Sequence, residues 1–176
     1  KIGWDAFKGC TSLTSVDIPD SVTMIGVRAF EGCISLTSIA IPDSVIEIGE
    51  SAFSGTKWLE ERPKGLVIIN DILYSCTDKE TTSIDIPNSV TKIGERAFYG
   101  CTSLASIDIP NSVTWIGWQA FEGCTSLTSI NIPDSVTKIG GAAFYGCRSL
   151  TSIELPNSVT EIGVGAFEGC TSLQSI

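Results

Sequence analysis

Residues 103–125 read SLASIDIPNSVTWIGWQAFEGCT, and residues 126–148 read SLTSINIPDSVTKIGGAAFYGCR. The two stretches are one 23-residue unit written twice. Leu104, Ile107, Ile109, Val113, Ile116, Ala120 and Phe121 recur as Leu127, Ile130, Ile132, Val136, Ile139, Ala143 and Phe144. The Ala-Phe pair extends the register over the chain, at Ala6-Phe7, Ala29-Phe30, Ala52-Phe53, Ala97-Phe98, Ala120-Phe121, Ala143-Phe144 and Ala166-Phe167. The step is 23 residues except between Phe53 and Phe98, where it is 45, one short of two units. A unit this small cannot bury its apolar face alone. Stacked copies make ladders of like residues and a continuous core.

Ser106-Ile107-Asp108-Ile109 alternates with period two, so it is a short strand with isoleucine inward and serine and aspartate outward. Pro110 cannot donate to a ladder and ends that strand. Pro-Asn-Ser, or Pro-Asp-Ser in other copies, is turn chemistry. Val113 to Ile116 forms a second extended piece, and Gly117 allows a sharp change of direction. Trp118 to Glu122 is expected to make one helical or 3₁₀ turn that buries Ala120 and Phe121, closed by Gly123 as a left-handed cap. Parallel strands stacked about 4.8 Å apart then join successive repeats.

Residues 54–82 break the pattern. Gly55-Thr56-Lys57-Trp58-Leu59 still opens a unit, with Thr56 in the cysteine position. Glu60-Glu61-Arg62-Pro63-Lys64-Gly65 is polar and turn-prone. Leu66-Val67-Ile68-Ile69 and Ile72-Leu73-Tyr74 then flank Asn70-Asp71, which predicts a β-hairpin inside an irregular repeat. That hairpin either keeps the stack continuous or protrudes as a recognition element. Residues 1–176 are taken as one repeat domain. Because Lys1-Ile2-Gly3-Trp4 and Ile176 both fall within a unit, the chain is expected to be a fragment of a longer solenoid.

Composition narrows the function. The chain is 43% hydrophobic and 18% charged, which is globular rather than disordered usage. Net charge is −9 with no Lys/Arg cluster, so nucleic acid and anionic membrane are poor partners. No apolar run reaches the ~20 residues of a spanning helix, and no segment reads as a signal peptide. Histidine is absent, which removes imidazole-dependent catalysis and metal ligation. No nucleophile–histidine pair or phosphate-binding glycine loop occurs, and Glu60-Glu61 is a solvated turn. The chain is therefore read as a non-enzyme without cofactor or metal.

Six of the seven cysteines, Cys10, Cys33, Cys101, Cys124, Cys147 and Cys170, share one register, with Cys76 outside it. No Cys-x-x-Cys pair appears, so they are expected to be small buried free thiols. The outward strand column runs Asp17, Ala40, Asp85, Asp108, Asn131, Glu154. Stacked carboxylates repel one another and suit a basic or polar partner, or a solvated face. Trp115 and Trp118 stand where other copies have Lys92 and Glu95, or Lys138 and Gly141, and Trp4 shares the position of Trp118. Tyr99 and Tyr145 share another variable position. Such aromatics are expected at least half exposed, as protein hot spots or sugar-stacking platforms, or else packed edgewise on neighbours. The candidate ligand-binding set is Trp115, Trp118, Asp85, Asp108, Asn131, Tyr99 and Tyr145.

The unit Ser126-Leu127-Thr128-Ser129-Ile130-Asn131-Ile132-Pro133, continuing through Gly140 to Ala143-Phe144-Tyr145-Gly146-Cys147, resembles the BspA-like, or Treponema pallidum-type, leucine-rich repeats. The resemblance covers almost the whole chain. It implies a right-handed leucine-rich-repeat solenoid on a cell surface, bacterial or protist. It also implies adhesion to host matrix proteins such as fibronectin or fibrinogen, to host cells or to other microbes. It brings no catalytic residues. Two other readings remain: a structural spacer of a surface stalk, and a carbohydrate-active parallel β-helix enzyme. The constant step and the Ala-Phe-x-Gly-Cys turn fit leucine-rich repeats better than the enzyme.

Apolar ladders open at both ends predict end-to-end association of the isolated chain. Sedimentation velocity across a concentration series should show mass rising with concentration. A sharp monomer throughout would exclude it.

Overall fold

Alternation sets the first side of every repeat: Ile107 and Ile109 are buried while Ser106 and Asp108 face solvent. The computed structural model describes residues 1–176. They form two compact units, Lys1–Pro63 and Lys64–Ile176, each a β-solenoid with short parallel strands.

In the first unit, β1 (Ser15–Asp17) pairs with β3 (Ser38–Ala40), and β2 (Met24–Ile25) with β4 (Glu47–Ile48). Both pairings are parallel with a register of one repeat, Ser15 opposite Ser38 and Met24 opposite Glu47. The unit's last element is the helix α1 (Lys57–Glu60). Thr56, in the cysteine position, caps it by accepting from the Leu59 amide at 3.3 Å, and donates its own hydroxyl to Phe53 O at 2.7 Å.

The second unit opens with the hairpin β5 (Leu66–Ile69) and β6 (Ile72–Cys76). Its strands are antiparallel, Ile69 opposite Ile72, with a bulge between Val67 and Ile68. Asn70 adopts φ 55°, the left-handed region a tight two-residue turn needs. The hairpin does not protrude. Val67, Ile69, Ile72, Leu73, Tyr74 and Cys76 are buried, and β6 runs parallel to β8 (Lys92–Ile93). Thr91 also hydrogen-bonds the Asp71 side chain and donates its amide to Asp71 O at 2.9 Å. Beyond it, β10 (Trp115–Ile116), β12 (Lys138–Ile139) and β13 (Glu161–Ile162) extend the same six-stranded sheet. A three-stranded sheet, ordered β11 (Ser129–Asn131), β9 (Ser106–Asp108), β7 (Ser83–Asp85), forms another side.

The third side is the Ala-Phe turn, and it is not the helical turn the spacing suggests. Gln119 sits at φ 53°, which interrupts a right-handed helix, and linked β-turns take its place. Ala120 N donates to Gly117 O at 3.3 Å, Glu122 N to Gln119 O at 3.1 Å and Cys124 N to Phe121 O at 3.1 Å. The freed amides form a ladder between turns: Phe98 N to Ala120 O, Phe121 N to Ala143 O and Phe144 N to Ala166 O, all at 2.7 Å. Here the earlier turn donates to the later. At the strands the sense reverses, as in Gly117 N to Ile93 O at 2.8 Å. Each turn is thus clamped in both directions.

The core follows from stacking like on like. Phe98, Phe121, Phe144 and Phe167 lie ring on ring at 4.9, 5.2 and 5.3 Å, parallel within 5°. In the first unit Phe7, Phe30 and Phe53 do the same at 5.1 and 5.7 Å, and Trp58 of α1 tilts across Phe53 at 4.9 Å. Gly117 serves close approach rather than a left-handed turn. A Cβ there would lie 2.8 Å from Gly94 C and Glu95 N, and one at Gly140 2.6 Å from Gly117 C.

Two substitutions of opposite kind test this geometry. Gly117→Ala drives a methyl into the neighbouring backbone and should lower stability by about 3 kcal/mol, the upper end for an overpacked core. Ala142→Gly relieves a non-glycine residue at φ 52°. It should raise stability by about 0.5 kcal/mol, the left-handed penalty less the glycine chain entropy. Urea unfolding followed by circular dichroism reads both, and Phe121→Ala should cost about 3–5 kcal/mol beside them.

Candidate functional site

Three outward surfaces of the second unit carry the residues singled out above. The strand face comes first. Register places Asp85 opposite Asp108, and Asp108 opposite Asn131, and a bridge continues from Asn131 to Glu154. Serines run beside them, Ser83 to Ser106 to Ser129. All are exposed, because period two sends each isoleucine between them inward. Ser106, Asp108, Ser129, Asn131, Ser152 and Glu154 line a shallow groove of about 260 Å³ over Ile107, Ile130 and Ile153. No lysine or arginine pairs with these carboxylates, so the groove keeps its negative charge.

Trp115 lies on another side. It is half-buried in β10, between Lys92 and Lys138 of the flanking strands. Lys138 is itself paired with Glu161 at 3.0 Å. Trp115 and Trp118 therefore do not form one aromatic surface, although only Ile116 and Gly117 separate them.

Trp118, Tyr99 and Tyr145 belong to the Ala-Phe side, each about 40% exposed. Their column is set by the turn ladder: Gly100 N donates to Glu122 O at 2.9 Å and Gly123 N to Tyr145 O at 2.8 Å. Tyr99, Glu122 and Tyr145 thus follow one another on consecutive turns. Arg96 lies between rings, 4.2 Å from the Tyr99 centroid and 5.9 Å from that of Trp118. Trp118 rests on Gly141, where a Cβ would meet its Cδ1 at 3.2 Å. Arg96 was not singled out by sequence, since it reads as an ordinary surface charge. Trp4, in the corresponding position of the first unit, is 77% exposed.

The same positions of the first unit hold an ion-pair network instead. Arg28 Nε meets Asp5 at 3.0 Å and Lys8 Nζ meets Glu31 at 3.0 Å. Lys8 and Arg28 also lie 3.9 Å from Asp5 and 3.8 Å from Glu31 respectively.

All seven cysteines are free. Cys33, Cys76, Cys101, Cys124 and Cys147 are buried as expected, whereas Cys10 is exposed and Cys170 half-buried. A contact the register did not reveal holds much of the column: Cys33, Cys124, Cys147 and Cys170 donate their thiols to the phenylalanine carbonyl of the turn before. Cys33 reaches Phe7 O at 3.0 Å, Cys124 reaches Phe98 O at 3.2 Å and Cys147 reaches Phe121 O at 3.2 Å. Cys76, out of register in sequence, joins the column in space. It is hydrogen-bonded to Cys101, and that bond, with burial, pushes its thiol up. Cys101 is lowered by the same bond and by Lys79, whose Nζ lies 3.6 Å from its sulfur and 2.7 Å from Tyr99 O. No group of three or more potential ligands is gathered for a metal ion. No helix is long and apolar enough to cross a membrane.

Comparison with known proteins agrees with this geometry. The model of a family described as the BspA type leucine rich repeat region matches in six copies, over residues 1–77 and 67–176. A search of curated proteins found no match. Among solved structures, the T. pallidum leucine rich repeat protein TpLRR is 36% identical, with a TM-score of 0.54, over 98% of this chain and 71% of that one. A leucine rich cell surface protein from Faecalibacterium prausnitzii is 29% identical, with a TM-score of 0.53, over 99% of this chain and 62% of its own length. A leucine-rich repeat protein from Bacteroides ovatus is 32% identical, with a TM-score of 0.51, over 98% of this chain and 56% of that one. The chain thus spans less than two thirds of two of these three.

The thiol column has a pH signature. Burial, then the neighbouring Cys170, raises Cys147 to about 12, and burial raises Cys124 as well. In the unfolded chain both lie near ~8.5. Below that pH their contribution to stability is complete. Above it the unfolded state sheds protons that the folded state keeps, so stability declines until the folded value is reached. The urea midpoint should fall between about pH 8 and pH 10, and fall less in Cys147→Ala. Equal slopes in the two proteins would rule out the thiol.

Proposed function

Because the chain belongs to the family of BspA-type leucine-rich repeats, we propose that it is a protein-binding module of the adhesin type, displayed on a cell surface. The observation that carries this reading is the unpaired acidic strand face. Asp85, Asp108, Asn131 and Glu154 stand in register above a groove with alternating serine hydroxyls. Carboxylates stacked at strand spacing repel one another, and a basic segment laid along the groove removes that repulsion. Serine and asparagine supply neutral hydrogen bonds that set register. Asp85, Asp108 and Asn131 are assigned to this contact, and the occupant is a basic or polar stretch of an extracellular protein such as fibronectin or fibrinogen. The cell-surface description of the Faecalibacterium prausnitzii protein supports the location. Nothing in the proposed contact calls for a catalytic step, a metal or a cofactor.

The experiment is a binding series of the chain against immobilised matrix proteins, with Asp85→Asn/Asp108→Asn beside it. Saturable binding should weaken about tenfold in the double variant, equivalent to about 1.4 kcal/mol. It should also weaken with added salt, because the contact is charged and exposed. Binding that ignores both changes would move the contact off the strand face. A folded chain silent across the panel would leave the spacer reading.

A further inference from the structure

The Ala-Phe side of the second unit has a chemistry the acidic groove does not share. Tyr99, Tyr145 and Trp118 are each about 40% exposed. Arg96 lies against Tyr99 and near Trp118. Glu122 follows Tyr99 and precedes Tyr145 along the turn ladder, and Gln119 Oε1 and Glu122 Oε2 are buried without a hydrogen-bond partner. The corresponding side of the first unit is closed by Asp5, Lys8, Arg28 and Glu31, which neutralise one another. Here aromatic rings and uncompensated polar side chains occupy those positions.

We propose that this side is a glycan-binding platform for a neutral, extended β-linked hexose chain, in which Tyr99, Tyr145 and Trp118 stack on sugar rings and Arg96, Gln119 and Glu122 bond their hydroxyls. Three observations select that ligand. The first is spacing. Successive turns on this side advance by 4.9 and 5.2 Å, as the phenylalanine rings beneath show. An extended β-linked hexose chain advances by nearly the same step per ring, and it turns like faces to one side at every second ring. Tyr99 and Tyr145 stand two turns apart with Glu122 between them, so stacking faces and hydroxyl edges alternate as such a chain does.

The second observation is charge. Arg96 and Lys79 offset Glu122 and Glu95 on this side, so neither a polyanion nor a basic segment gains from it. The third is preparation. Trp118 lies on the backbone of Gly141, where a Cβ would stand 3.2 Å from its Cδ1 and 3.5 Å from its Nε1. Arg96 is held against Tyr99. Rings placed before the ligand arrives lose little freedom on binding. Sugars gain from aromatics through their apolar faces and from planar polar groups through their hydroxyls, and both are present here at one repeat distance.

The test is titration of the intact chain with the extended β-1,4-linked cello- and chito-oligosaccharides of increasing length, followed by tryptophan fluorescence and calorimetry. At least one series should bind saturably, tighten from disaccharide to tetrasaccharide and then level off, and perturb Trp118 emission. Tyr145→Ala and Trp118→Ala should each weaken it about tenfold. Tyr145→Phe, which keeps the ring, should bind within about twofold of the parent chain. Asp85→Asn/Asp108→Asn should leave glycan binding unchanged, which separates this site from the groove. No saturable binding by any series would overturn the proposal. So would binding that is independent of chain length, or capture of a matrix protein that is lost in Trp118→Ala.

Discussion

The whole arrangement depends on how closely two backbones can lie. At the Ile-Gly corner a single methyl does not fit, since a Cβ on Gly163 would fall 2.2 Å from Gly141 N. That approach sets the step between turns at the spacing parallel strands require. Once the step is set, identical residues must lie on identical residues. Phenylalanine stacks on phenylalanine, and the thiols of Cys33, Cys124, Cys147 and Cys170 come within reach of the phenylalanine carbonyl of the previous turn. Serine reaches the preceding valine carbonyl in the same way, Ser135 to Val113 O at 2.7 Å and Ser158 to Val136 O at 2.8 Å. Sequence repetition is therefore a geometric condition on the core and only weakly a condition on the surface.

That difference explains what was legible. Every inward position of residues 103–125 was readable from the 23-residue register, because burial on both neighbours leaves one residue type that fits. The hairpin was readable too, from two apolar runs about Asn70-Asp71, but its depth was not. Only the pairing of β6 with β8 shows that it takes the place of a missing strand. The Ala-Phe turn misled for a specific reason. Asp5, Arg28, Ser51, Arg96, Gln119 and Ala142 all adopt positive φ, and only Gly165 among these copies carries the glycine that would have signalled it. The ladder of hydrogen bonds between turns holds that conformation on residues that do not favour it.

The candidate site was legible in part. The strand column was complete in sequence, since period two and register leave no freedom in where Asp85, Asp108 and Asn131 point. The aromatic positions were visible as departures from the repeat, yet their grouping was not. Trp115 and Trp118 are near in sequence but lie on opposite sides of the Gly117 corner, whereas Tyr99 and Trp118 come together only through Arg96. Arg96 gave no signal, because its role depends on the next repeat rather than its own. Cys76 is a similar case: the bulged hairpin, not the register, delivers it to Cys101.

A solenoid separates its surfaces by construction. Each turn contributes one residue to each outward column, and the residues of a column can vary from turn to turn without disturbing the core. In the second unit one column is acidic and hydroxylic, and another alternates aromatic with acidic. A change on one does not disturb the other, because the isoleucine and phenylalanine ladders between them are buried and fixed. A binding surface gains from that independence. Two ligands of different chemistry can be held along the same axis at the same repeat distance, and a variant in one column leaves the other column's spacing intact.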